Sequence, residues 1–175
     1  MKSDFLEILQ ARKSVRQYSD RKVTEEQLET LVRAGMAAPS AVNRQPWLFF
    51  AINDRVLLDA LGDRLPYAKM LLQAPAAIVV CGNMEKALDA WQQEFWIQDC
   101  SAATQNILLA AESMGLGSVW TAVYPAPDRI EIVRNALNLP PHLIPLNVLP
   151  IGYPDGPQRA KDKWKPENMM WNKWQ

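Results

Sequence analysis

The sequence has one histidine, His142, and two cysteines, Cys81 and Cys100, in 175 residues. His142 lies in the turn-like run Pro140–Pro141–His142, so a histidine-rich zinc site and a Ser/His/Asp triad are both excluded. Neither sign of charge is in excess, with 19 Lys and Arg against 19 Asp and Glu. No global field draws the chain to nucleic acid or a membrane surface, and any anion site must be local. Long hydrophobic runs are missing too. The longest, Leu71 to Cys81, is broken by Gln73 and Pro75 and falls short of the roughly 20 residues that span a bilayer. Met1 to Gln10 mixes Lys2, Asp4 and Glu7 with apolar residues and does not read as a signal peptide. Two cysteines without an export signal lead us to expect reduced thiols and a cytoplasmic protein. No repeat, low-complexity segment or Gly/Ser linker divides the chain, so one domain over residues 1–175 is expected. Its hydrophobic content of 49% argues against disorder.

What is present reads as alternating helices and strands. Asp4 and Glu7 form a candidate capping box for a first helix, and Thr24 and Gln27 form a clearer one. Val23 before that cap and Leu28 four residues after it have the spacing of a hydrophobic staple. Leu28, Leu31, Val32 and Met36 follow at helical spacing until Pro39. Trp47 to Ile52 predicts a buried strand, Asn53 a cap for a helix through Leu61, and Gly62 that helix's end. Ala76 to Cys81 is a second strand. Glu85 to Met114, free of Gly and Pro, predicts one long central helix that Gly115 ends. Val119 to Val123 and Ile144 to Ile151 are further strands, with a short helix from Asp128 to Leu137 between them. The whole is α+β: a central mixed sheet with helices on both faces and a long central helix. The extension over residues 152–175 is rich in Pro and Lys, yet carries Tyr153, Trp164, Met169, Met170, Trp171 and Trp174. Such residues in a polar, extended tail suit docking on a partner subunit better than folding back.

Three segments carry candidate chemistry. Arg12–Lys13–Ser14–Val15–Arg16 groups three cations and a hydroxyl after the first helix, which suits a phosphate, although such a run also occurs on solvated faces. Ala38–Pro39–Ser40–Ala41–Val42–Asn43–Arg44–Gln45–Pro46–Trp47 is a polar loop between helix and strand. Its amide and hydroxyl groups could read the edges of a flat heteroaromatic, or simply connect the two elements. In Gly115–Leu116–Gly117–Ser118–Val119–Trp120 a strand, not a helix, follows the glycines, so a dinucleotide fingerprint is not made. The glycines read as a helix end and a turn.

In this order, and with Ile151–Gly152–Tyr153–Pro154, Lys161 and Lys163, the segments resemble the nitroreductase family of FMN proteins from about Phe5 to Lys163. The resemblance implies a nitroreductase-like fold and an obligate, domain-interlocked homodimer with FMN in the subunit interface. It implies that Arg12 and Ser14 hold phosphate and ribityl with Lys13 beside them, and that Arg16 approaches the N1/O2 edge of the ring. Pro39, Ser40, Ala41 and Asn43 would come from the opposite subunit. Trp120, Thr121, Ala122 and Val123 would lie along the flavin, and Lys161 and Lys163 would complete the phosphate cage. A cation near N1 favours the reduced, negatively charged ring.

The implied activity is transfer of hydride from NADH or NADPH, through flavin N5, to a small acceptor such as a nitroaromatic or quinone. The cofactor carries that chemistry, so no catalytic side chain is required of the protein. A flavin-binding storage or sensing protein with little turnover would show the same residues. Larger family members have an extended insertion before the central helix; here a short segment with Trp91, Phe95 and Trp96 stands in its place, either covering the flavin or packing in the core.

Overall fold

Residues 5–174 are described by the computed structural model, and its centre is β2 (Ala76–Asn83), buried from Ala76 through Gly82. This strand pairs antiparallel with β1 (Trp47–Ile52) on one side and β5 (Leu143–Gly152) on the other. Two short strands, β3 (Gly117–Ser118) and β4 (Thr121–Ala122), also pair antiparallel with β5. The parallel component of the expected mixed sheet is an isolated bridge between Ser14 and Ser118. Of the strand expected over Val119 to Val123 only Thr121–Ala122 forms, and β3 lies just ahead of that span. β3 pairs with Gly152 and Ile151, and β4 with Val148 and Asn147. The break lies across from Pro150, which has no N–H to offer a ladder.

The period of two along β2 feeds two cores. Ile78 and Val80 pack with α2 (Glu25–Met36) and α4 (Phe95–Ser113). Ala77, Val79 and Cys81 pack on the other face with α3 (Arg55–Arg64) and α5 (Pro127–Leu137). Helices therefore cover both faces, as expected. A register shift opposite Val80 and Cys81 places Leu146 as an extra residue in β5. Consequently Leu146 and Leu149, of opposite parity, share one core.

Helix ends follow local hydrogen bonds. Thr24 Oγ1 accepts from Gln27 N at 3.2 Å and Thr24 N donates to Gln27 Oε1 at 3.0 Å, the expected capping box. Val23 packs on the same core as Leu28. Three expectations are corrected. The cap of α3 is Asp54, which accepts from Leu57 N at 3.0 Å, and not Asn53. That helix runs past Gly62 to Arg64, since Gly62 serves close packing: a Cβ there would lie 3.0 Å from Leu72. The long helix begins at Phe95, not Glu85. Asn83 closes the end of β2 with a turn, accepting from Glu85 N at 3.0 Å, and Ala90 at φ 53° turns the chain again before a short 3₁₀ segment.

Gly115, at φ 71°, follows the end of α4 as expected. α1 (Phe5–Ala11) forms but buries no residue; its expected cap, Asp4, lies outside the described residues.

Ile107 of α4 is fully buried, and Gly35 of α2 approaches it so closely that a Cβ there would lie 3.0 Å from its Cγ1. Ile107→Ala should therefore lower stability by about 2–5 kcal/mol, the range for truncating a core side chain that neighbours cannot replace. Urea denaturation of the purified variant checks this; a loss under about 1 kcal/mol would show that the layer collapses around the gap.

Candidate functional site

After α1 the chain runs beside the sheet edge. Val15 N donates to Ser118 O at 3.0 Å and Ser19 N to Tyr153 O at 2.9 Å. Tyr18, buried, donates its hydroxyl to Val15 O at 2.7 Å; that burial pushes the phenol well above its ordinary pKa, opposed by Arg16. Residue alternation then sorts the cation cluster. Val15 is fully buried against Gly117, where a Cβ would lie 2.7 Å from it. Lys13 also turns away, its Nζ donating to Glu112 Oε1 at 2.6 Å. Arg12, Ser14 and Arg16 take the other side.

That side opens on two cavities. One, of about 950 Å³, is lined by Arg12, Ser14, Trp120, Lys161, Lys163 and Trp164, among others. Its one carboxylate, Asp162, accepts from Trp164 N at 2.9 Å. The other, of about 470 Å³, is lined by Arg16, Tyr67, Lys69, Thr121, Ala122 and Arg129, and shares Trp120 with the first. The two adjoin there as one groove along the sheet edge. Among the described residues Arg12, Arg16, Lys161 and Lys163 form no ion pair. Ser118 Oγ, beneath this edge, is buried without a hydrogen-bond partner. Unpaired cations at one end and an aromatic wall along the middle fit a ligand with a phosphate and a flat ring.

The groove does not gather every expected residue. Val123 is buried in the second core and lines neither cavity. Pro39, Ser40, Ala41 and Asn43 line neither, yet their loop is firmly held. Ala41 N donates to Asp99 Oδ1 at 2.9 Å, Gln45 N to Ser40 Oγ at 2.9 Å, and Gln45 Nε2 to Asn43 Oδ1 at 3.0 Å. Val42, Asn43 and Gln45 all have φ of 50–56°, a strained region for non-glycine residues. Asp99, buried on α4, pins the loop; burial raises its pKa and the Ala41 N–H opposes the shift.

Sequence reading missed Asp99, Tyr67, Lys69 and Arg129. Each reaches the site or its loop from another element, and none stands in a motif. Trp96 is core, 5.0 Å from Tyr124 between ring centroids, whereas Trp91 is exposed with its ring 6.0 Å from Phe95.

Fold and groove define an α+β protein with a cation-lined cleft at one sheet edge. The nitroreductase family model matches residues 9–65 and 61–153, and the chain belongs to the nitroreductase family. A relative from Methanothermobacter thermautotrophicus named "Putative NADH dehydrogenase/NAD(P)H nitroreductase" is 43% identical over 99% of this chain and 89% of its own length. A crystal structure of a protein of that name from Parabacteroides distasonis superposes with a TM-score of 0.92 at 53% identity, covering 97% of this chain and 98% of the other. An FMN-dependent nitroreductase from Clostridium difficile R20291 gives 0.88 at 28% identity, covering 97% and 99%. Among the described residues no helix is long and apolar enough to cross a membrane.

Gly117→Ala should cost about 1–3 kcal/mol, as overpacking does where nothing can yield, because its Cβ would press on the branched side chain of buried Val15. Thermal unfolding checks this, and an unchanged transition would mean that residues 12–16 shift freely.

Proposed function

We propose that the chain is an FMN-dependent oxidoreductase that takes hydride from NADH or NADPH and passes it to a small acceptor such as a nitroaromatic or quinone. The groove carries this reading: unpaired Arg12, Lys161 and Lys163 at one end, Trp120 to Ala122 along the middle, Arg16 beyond. The Clostridium difficile neighbour's dependence on FMN and the archaeal relative's name, with NAD(P)H in it, agree with it. Bound FMN would supply the redox chemistry, accepting hydride at N5 and returning it to the acceptor.

The chain's own residues bind and orient. Arg12, Lys161 and Lys163 would neutralise the phosphate, and the Ser14 hydroxyl would add a hydrogen bond. Arg16 would bring positive charge to the edge of the ring that becomes negative on reduction. The backbone of Trp120, Thr121 and Ala122 would lie along the ring. Lys13, paired with Glu112, steadies the cation segment from behind, and Val123 anchors β4 through its N–H to Leu146 O at 3.0 Å.

Pro39, Ser40, Ala41 and Asn43, held rigidly outside this chain's own groove, serve the groove of a second copy, which makes the working unit a homodimer. The tail supports the same assembly. Trp164, Trp171 and Trp174 are exposed in the single chain, Trp174 to 81%, and burying each large apolar side chain on a partner is worth about 1.5–3 kcal/mol.

The purified protein should show a flavin absorbance band with one FMN per chain, and should oxidise NAD(P)H with nitrofurazone or menadione faster than free FMN does. Binding without turnover would leave flavin storage or sensing as the function, and failure to take up FMN would end both readings. Arg12→Ala should weaken FMN binding by about 1.5–3 kcal/mol, the worth of hydrogen bonds to a charged group, measured by flavin fluorescence titration; unchanged affinity would return Arg12 to the solvated surface. Cutting the chain after Lys165 should loosen the dimer and weaken FMN retention together, although Lys161 and Lys163 remain. Sedimentation beside a flavin titration decides that, and a truncated protein that stays dimeric and holds FMN normally would make the tail dispensable.

A further inference from the structure

Residues 40–45 lie between α2 and β1. Within the loop Asn43 N donates to Ser40 O and Arg44 N to Ala41 O, both at 3.0 Å, beside the two bonds made by Gln45. Among the described residues, a single hydrogen bond ties residues 40–45 to another element, that from Ala41 N to Asp99 Oδ1 at 2.9 Å. Asp99 itself stands on a fixed base. Further along α4, Asn147 Nδ2 of β5 donates to Thr104 Oγ1 at 3.0 Å, and Asn106 Nδ2 donates to Ala34 O of α2 at 3.0 Å. The helix that carries the carboxylate is thus tied to the sheet and to the helix that leads into the loop.

Asp99 is 6% exposed and forms no ion pair among the described residues. An asparagine would accept the same N–H without taking a charge out of water, so the fold alone has no need of the carboxylate. What the charge adds is strength, since a hydrogen bond to an ionised acceptor is roughly twice as strong as a neutral one. The strength is applied where the backbone would otherwise relax. Val42, Asn43 and Gln45 sit at φ of 50–56°, which non-glycine residues keep only when their surroundings fix them.

We infer that Asp99 is a positioning residue for the flavin site of the second copy: through Ala41 N, its carboxylate keeps residues 40–45 in the conformation that meets the other chain's groove. This rests on the reading of the protein as an FMN-dependent homodimer, and it assigns to that shared site a residue that touches neither cofactor nor acceptor. A loop that the ligand must order lowers affinity by the cost of ordering it, and a loop held beforehand does not. Removing the clamp should therefore separate flavin affinity from stability.

The test compares Asp99→Leu and Asp99→Asn with the wild-type dimer, by flavin fluorescence titration and by urea denaturation of the apoprotein. Asp99→Leu removes the acceptor and should weaken FMN binding about tenfold or more. Asp99→Asn keeps an amide oxygen for Ala41 N and should recover part of that loss, while its apoprotein, relieved of a buried charge, should be at least as stable as the wild type. Unchanged affinity in Asp99→Leu overturns the inference, and so does affinity that falls only in step with stability in both variants. Mixed dimers decide which copy the loop serves. Chains carrying Asp99→Leu and chains carrying Arg12→Ala, co-expressed with two tags and purified through both, should bind one FMN per dimer at wild-type affinity. The Asp99→Leu chain keeps an intact groove and receives an intact loop from its partner. Mixed dimers without a tight site would place the loop on its own chain and overturn the inference. A wild-type protein that takes up FMN but gives either overturning result fails here alone; one that takes up no FMN fails at the proposed function, and this role of Asp99 falls with it.

Discussion

The site hangs on one close approach, Val15 against Gly117. Without a side chain at Gly117, the extended segment after α1 lies flat on β3, close enough for Val15 N to donate to Ser118 O at 3.0 Å. The alternation of an extended chain does the rest. With Val15 turned inward, Arg12, Ser14 and Arg16 face the groove, and Lys13 is left to find Glu112. A slip of one residue would exchange the two sets, sending the cations into the core and the valine to solvent. Tyr18 guards against it, its buried hydroxyl bonded to Val15 O.

Strain is concentrated where the chain's own groove has no use for it. Val42 is β-branched, at φ 50° and largely exposed, and such a backbone costs about 1–3 kcal/mol unless its surroundings fix it. Asp99, Ser40 and Asn43 do so through three hydrogen bonds. Holding a carboxylate buried on α4 to clamp a surface loop is costly in itself, as the raised pKa of Asp99 records. A loop held at that cost while lining neither of the chain's own cavities is the feature on which the proposed homodimer rests.

Legibility in the sequence followed the range of the interactions. The Thr24–Gln27 box and the β2 run were readable because their causes lie within a few residues. The start of α4 was not, because Ala90 at positive φ and the Asn83 turn carry no Gly or Pro to mark them. Arg12, Lys13, Ser14 and Arg16 stood out together as a cluster of cations round a hydroxyl, but the cluster could not show that Lys13 turns to a partner 99 positions away. The family resemblance named Val123 with its neighbours and could not show that β4 ends before it, leaving Val123 in the second core. Gly117 was read as a turn residue when its role is to admit Val15. Arg129 and Lys69 reach the groove only after α5 and the segment following α3 have packed, so no local pattern could have announced them.

The balanced overall charge conceals how uneven the distribution is. Acidic residues hold Lys13 and Arg55 elsewhere on the chain and Lys69 at the cleft itself, while Arg12, Arg16, Lys161, Lys163 and Arg129, without ion pairs among the described residues, line two cavities that meet at Trp120 and have a single carboxylate, Asp162, among their walls. Cations gathered without counter-ions repel one another, and more strongly where the surroundings exclude water. Folding tolerates that arrangement because most of these side chains keep some contact with solvent. An anionic ligand bound among them would relieve the repulsion, so its binding would strengthen the same fold that gathers the cations.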